Sequence, residues 1–330
     1  MLVQPQAAWI ERVYSNGVYP VWERNAFPVT NALPWSLGDV AALAGVAAIV
    51  WQSVFFARRR GRRARNVGAL LLNCAAIVGL YAVWFELSWA WNYARAPLET
   101  RVRYDPARVT PQAADALQRR AIYQMNALAE SAHARASVPL DLAALRAAWL
   151  PAVQRVGDTW APLVGAAKPT VADPFMLATG TEGFINPFTL NVATASDLFW
   201  FERPFDYAHE WSHVAAYARE DEANYLAIVT CLRSKDPAVM YAGWFALFLY
   251  LPQERHYARR EFVPLVWRDF AAIRRRNARH INVALAHWSW RTYSAYLKSN
   301  RIAAGIANYD EVTRLMLGVP LDSQGLPIAR

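Results

Sequence analysis

The 330-residue chain has only two cysteines, Cys74 and Cys231, both inside apolar segments and far apart. That excludes a disulfide framework and a cysteine-based zinc site. Charge is scarce as well. Charged residues make up 18% and apolar ones 55%, a balance shifted from soluble domains toward membrane proteins. No basic n-region, long apolar h-region or cleavage site opens the chain, so a cleaved signal peptide is not expected. No fixed-period repeat or low-complexity tract interrupts it.

The formal charge of +9 would fit a nucleic-acid binder if it formed one surface. Much of it instead lies in Arg58, Arg59, Arg60, Arg62, Arg63 and Arg65, between two apolar runs. Flanked this way, the run reads as a cytoplasmic loop between membrane spans, and no nucleic-acid partner is expected. The spans are expected at residues 37–57 and 67–91, with apolar runs of about 20 residues (37–56 and 67–85), which at 1.5 Å per residue match a ~30 Å hydrocarbon core. Trp84, Phe85, Trp89, Trp91 and Tyr93 supply an aromatic belt at the far end of the second. With the 58–66 loop inside, residues 1–36 and 92–330 lie outside the cytoplasm. The 1–36 segment, rich in aromatics and broken by Pro5, Pro20, Pro28 and Pro34, reads equally as an interfacial segment and as an irregular arm packed on the soluble domain.

The rest of the chain is mainly helical. Thr110-Pro111 is a cap followed by proline, predicting a helix to about Ala134, and residues 141–149 predict another. From Lys168 to Ser196 the composition turns to Gly, Pro, Thr and Phe, with extended runs expected at 175–178 and 188–193 as a small sheet or hairpin. Helices are expected at about 205–216 and 219–234. Residues 239–251 are too short for a span and read as a core helix. Two or three further helices fill 258–317.

The chemistry concentrates in His209-Glu210-Trp211-Ser212-His213. Histidines four apart share one helix face and can reach one ion, while the intervening glutamate can act as a base: the H-E-x-x-H pattern of zinc hydrolases. Catalytic zinc takes three protein ligands and a water, and no third histidine is near in sequence. Glu220 and Glu222 are the available carboxylates. On a continuing helix Glu220 would lie about 10 Å beyond His213, too far to share an ion. The chain must therefore reverse between about Ala215 and Arg219. The following helix then sets Glu220 and Asn224 on one face, with Asn224 as a hydrogen-bonding neighbour and Glu222 as the alternative ligand. In such a site Glu210 takes a proton from zinc-activated water and passes it to the leaving amine. His256, Tyr293 and Tyr309, and also His280 and His287, are candidates to stabilise the transition state, and nothing in the sequence chooses among them.

Several blocks together resemble a bacterial membrane family catalogued as domain of unknown function 3810. They are Trp9 to Ser15 with Tyr19-Pro20, Leu33 to Asp39, Asn92 to Leu98, the H-E-x-x-H with Ala218 to Ala227, and Tyr296 to Asn300. The resemblance implies a gluzincin-type metallopeptidase tethered to the bacterial cytoplasmic membrane, with no substrate specified. By similarity to gluzincins, whose third ligand is the Glu of a Glu-x-x-x-Asp pattern, it points to Glu220, with Asn224 at the Asp position. Two departures stand out. Ala216 occupies a position where the family tends to carry glycine, and the further apolar span with which members usually begin does not precede Trp9.

The expectation is a membrane-anchored zinc metallopeptidase acting on a peptide or protein, its zincin-like α+β domain outside the cytoplasm. The alternative from another class is a non-enzymatic membrane scaffold or sensor whose zinc only stabilises the fold.

Overall fold

The computed structural model describes residues 6–58, 63–157, 160–252, 259–299 and 311–330. The N-terminal arm is helical rather than irregular. α1 (Ala7–Trp9) runs into a π-wound segment, Ile10–Val18, and then α2 (Tyr19–Asn31). The switch from π to α winding falls at Pro20, whose missing amide cannot join a regular ladder. Ile10, Tyr14 and Tyr19 are fully buried against Trp89, Trp160 and Leu190.

α3 (Leu37–Arg58) and α4 (Arg63–Ser88) form an antiparallel hairpin. Both are long and apolar enough to cross a membrane, and their most apolar stretches are not buried in the protein. An uncovered apolar surface of that length points to association with a membrane. The Tyr81 hydroxyl donates to the Ala41 carbonyl at 2.6 Å, and Asn73 donates to Gln52 at 3.3 Å. At the domain end, Asp39 accepts the Val171 amide at 2.8 Å, and Asn191 accepts the Leu37 amide at 3.2 Å. Part of the arginine connector, residues 59–62, lies outside the described residues.

The remaining chain is mainly helical around a small sheet. α5 (Pro111–His133) begins on the Thr110 cap, whose hydroxyl accepts the Ala113 amide, and α6 (Leu142–Arg155) begins on Asp141. α6 continues past Pro151, so it is longer than local propensity indicates. The run 175–178 is not extended. It belongs to α7 (Asp173–Thr179), started by Pro174 and closed by Gly180 in the left-handed conformation. The strands are β1 (Gly183–Ile185) and β2 (Val192–Thr194), antiparallel with Gly183 opposite Thr194.

Then come α8 (Arg203–Val214), α9 (Glu220–Leu232), α10 (Pro237–Tyr250), α11 (Pro264–His280), α12 (Val283–Ser299) and α13 (Val312–Gly318). α9 is buried along nearly its whole length among α6, α8 and α10. α10 is a core helix packed on α5, as its length indicates.

The arm also carries a buried carboxyl. Glu23 is fully enclosed and accepts the Leu163 amide at 2.6 Å, while its second oxygen has no partner. Burial raises its pKa to about 7, opposed in part by that amide. The folded state therefore holds this proton more tightly than the unfolded one, and its contribution to stability falls as pH rises from about 4.5 to about 7. Thermal melts of Glu23→Gln in detergent should show a shallower decline than wild type across that window. Parallel curves would show that Glu23 is ionised throughout.

Candidate metal centre

α8 carries His209 and His213 on one face, and its C-terminus makes the reversal that the ligand geometry requires. Ala216 has φ 70°, the left-handed conformation usually left to glycine. The Tyr217 amide donates to the Ser212 carbonyl at 3.1 Å and the Ala216 amide to the His213 carbonyl at 2.9 Å. This is a Schellman ending with alanine in the glycine position.

The carbonyls that emerge from the turn are taken up by other parts of the chain. The Tyr19 hydroxyl donates to Val214 O at 2.8 Å, and Arg95 donates to Ala215 O and Ala216 O at 3.3 and 3.5 Å. Arg95 is itself buried against Glu11 at 2.9 Å. The Tyr217 ring contacts the Arg95 and Arg101 guanidiniums, 4.6 and 5.1 Å from its centroid.

Past the turn, α9 begins with three acids that go three ways. Asp221 pairs with Arg219 at 3.2 Å. Glu222 accepts the Leu98 amide at 2.8 Å and faces Arg101 at 3.6 Å, so the alternative ligand is turned away from the histidines. Glu220 turns toward them, its Oε2 3.3 Å from His209 Nε2 and 3.5 Å from His213 Nε2, with the two nitrogens 3.0 Å apart. A tetrahedral ion with bonds of about 2.0–2.2 Å needs ligand separations of about 3.3–3.6 Å. The two sides that meet at Glu220 fall in that range and the side between the imidazoles is about 0.3 Å shorter, so the three atoms are grouped closely enough to hold one metal ion after a small outward shift of the rings.

The surroundings reinforce the ligand set. His213 Nδ1 donates to the Tyr217 carbonyl at 2.6 Å, which leaves the Nε2 lone pair on the side of the triangle. The Trp89 ring meets the His213 ring edge-on at 6.2 Å, directly beyond the end of α4. Asn224 is fully buried beside His209 and accepts from the Tyr250 hydroxyl at 3.0 Å. Burial favours the neutral form of every member, yet His213 and His209 hold the Glu220 carboxyl well below the usual range. Glu220 in turn raises His213 despite its burial, while burial prevails at His209 and lowers it.

Glu210 lies beside the triangle, its Oε1 4.0 Å from His209 Nε2. Burial, then Asp206 and Glu220, raise its carboxyl well above the usual range. A divalent cation on the neighbouring ligands would oppose that shift. Of the candidate stabilisers, α12 brings Tyr293 in, its hydroxyl donating to Glu220 Oε1. His280 and His287 are exposed on α11 and α12 and do not join the cluster. His256 and Tyr309 lie outside the described residues.

Tyr250 and Asp206 were not singled out in the sequence, and Trp89 was read only as part of an aromatic belt. Asp206 stands four residues before Glu210, so helical spacing could have flagged it. Tyr250 and Trp89 arrive from distant elements and leave no local signal.

These features define a mainly helical protein with two candidate membrane helices and a three-residue centre fit for a metal ion. A family model described as Protein of unknown function (DUF3810) matches residues 14–317, and the chain belongs to that family. No curated protein and no solved structure matches it.

The turn can be tested directly. Ala216→Gly should leave stability within about 1 kcal/mol of wild type, because relief of about 1 kcal/mol of left-handed strain offsets a lost buried methyl worth about 0.8 kcal/mol. Ala216→Val should cost about 2 kcal/mol or more and lower the metal content. Melting curves and metal analysis in detergent check both. A valine variant as stable as wild type would mean that the turn is not left-handed at 216.

Proposed function

We propose that the protein is a membrane-anchored zinc-dependent metallopeptidase of zincin-like architecture. The observation that carries this reading is the His209–His213–Glu220 triangle, whose two sides at Glu220 suit tetrahedral zinc, with the buried acid Glu210 beside it. A zinc ion bound there would polarise a substrate carbonyl and activate water.

The chain's own groups supply the rest. Glu210 receives the proton from the attacking water and returns it to the leaving amine. Tyr293 and Tyr250, both beside the ligand shell, offer hydroxyls to the developing oxyanion. The Tyr217 carbonyl orients His213. β1 passes beside Glu210, and its edge away from β2 suits an extended peptide laid along it as an added strand.

The arginines at 58–65 keep their connector cytoplasmic, so residues 1–36 and 92–330 face the other side of the bacterial cytoplasmic membrane.

The test compares zinc content and peptide hydrolysis in full-length protein. His209→Ala should lose zinc, whereas Glu210→Gln should keep it and lose hydrolysis. If Glu210→Gln behaves as wild type while His209→Ala is disrupted, the zinc only stabilises the fold, and the protein is a membrane scaffold or sensor. Tyr293→Phe should keep zinc and lower kcat by roughly 10²-fold, the size of one lost oxyanion donor. An unchanged kcat would remove Tyr293 from the chemistry.

A further inference from the structure

The N-terminal arm has two apolar faces, and the protein covers only one of them. Ile10, Tyr14, Tyr19 and Ala26 are buried. On the open side Trp9, Val13, Val18, Val21 and Val29 are 40–65% exposed. Val13, Gly17, Val18, Val21, Trp22 and Asn25 line one continuous open groove along the helix. Among the exposed side chains of residues 6–31 only Arg12 and Arg24 are charged. An apolar stripe of that length on an outward face marks a surface that something apolar covers.

Two hydrogen-bonded anchors fix where the arm lies. The Tyr14 hydroxyl donates to Leu87 O at 2.9 Å, in the last turn of α4. The Asn191 side chain donates to Thr30 O at 3.3 Å and accepts the amide of Leu37, the first residue of α3, at 3.2 Å. In the antiparallel hairpin these two points are at the same end, the one opposite the arginine connector. Tyr14 and Thr30, up to about 24 Å apart along the arm, are thus held at one level. The arm therefore runs across the two apolar helices rather than along them. Trp35 and Val171, which flank the start of α3, are exposed at the same level.

That level decides the occupant. A helix with its side chains is about 10–12 Å wide, and the headgroup zone on each side of a hydrocarbon core is roughly 5–8 Å deep. A helix laid across the ends of two membrane spans occupies that zone, so the side that protein does not cover meets lipid. Tryptophans and a few arginines beside an apolar stripe are the composition that suits this boundary.

We infer that the arm is an interfacial helix, whose stripe from Trp9 to Val29 seats in the headgroup and upper acyl region of the bilayer that α3 and α4 enter. Arg12 and Arg24 are left to the headgroups. This rests on the membrane reading of α3 and α4 and is independent of any metal or hydrolysis.

The test uses full-length protein in lipid nanodiscs, one copy per disc, with Cys74→Ala as background because Cys231 is buried. Single cysteines at Val18→Cys and Val21→Cys, at Val40→Cys in α3 and at Tyr123→Cys on α5 carry a short-range fluorophore. Quenching is read with lipids bearing a nitroxide at the headgroup or high on the acyl chain. The labels at Val18 and Val21 should be quenched about as strongly as that at Val40, and several-fold more than that at Tyr123. Quenching at Val40 without quenching at Val18 and Val21 overturns the inference. So does shielding of those two labels from aqueous iodide only in discs that hold two copies, which would make a second copy the occupant. If the Val40 label is not quenched either, the membrane reading of the hairpin fails and the inference falls with it.

Discussion

His213 and Glu220 can share an ion only if the backbone turns back between them, and that reversal governs the rest of the molecule. On a straight helix the two would be about 10 Å apart along the axis. The turn brings Glu220 Oε2 to 3.5 Å from His213 Nε2 at the expense of a left-handed alanine and a cluster of carbonyls removed from the helical ladder. Val214, Ala215, Ala216 and Tyr217 each present such a carbonyl. Each is bound, by Tyr19, by Arg95 twice, and by the imidazole of His213 itself. The last contact couples the turn to His213, because the same hydrogen bond that satisfies the backbone also leaves Nε2 to face Glu220 and His209.

This explains why the N-terminal arm is not a detachable tail. Tyr19 reaches the turn directly, and Glu11 reaches it through Arg95. Ser15 donates to Asn92 at 2.9 Å and ties the arm to the segment that carries Arg95. The blocks by which the chain resembles its family before residue 100 are thus largely the ones that brace the candidate centre from behind. The π winding of Ile10–Val18 belongs to the same arrangement, since it lies between Glu11 and Tyr19, the two residues that must both arrive at the turn.

The apolar α3–α4 hairpin enters the site as a packing surface. Trp89, one residue beyond α4, rests on His213. The turn between β1 and β2 lays Phe188 against Tyr81, Trp84 and Phe85 of α4 at 5.1–6.2 Å. The Asn186 side chain lies so close to Gly38 of α3 that a Cβ there would meet it at 2.1 Å. Both the ligand helix and the strand beside it are therefore referenced to the same two helices.

Much of this was legible before any fold was known. The apolar runs flanking the arginines, the Thr110 and Asp141 caps and the four-residue histidine spacing are local, and each produced the element it indicates. Helix periodicity also ranked Glu220 above Glu222, since Glu220 shares a face with Asn224. The weak points were short elements such as α7, where Pro174 and Gly180 outweighed an extended-looking composition.

What the sequence determined by itself is largely what is set within a few residues: most helices, their caps, the two long apolar helices and the candidacy of His209, His213 and Glu220 as neighbours. The tertiary structure alone decided that Ala216 can hold a turn that suits glycine, that Tyr293, Tyr250 and Asp206 border the same centre, and that Arg95 closes the carbonyls behind it. Those outcomes depend on contacts between segments tens to hundreds of residues apart. Such contacts form only when burial of the arm, α9 and α10 compensates the chain for the entropy of bringing the segments together.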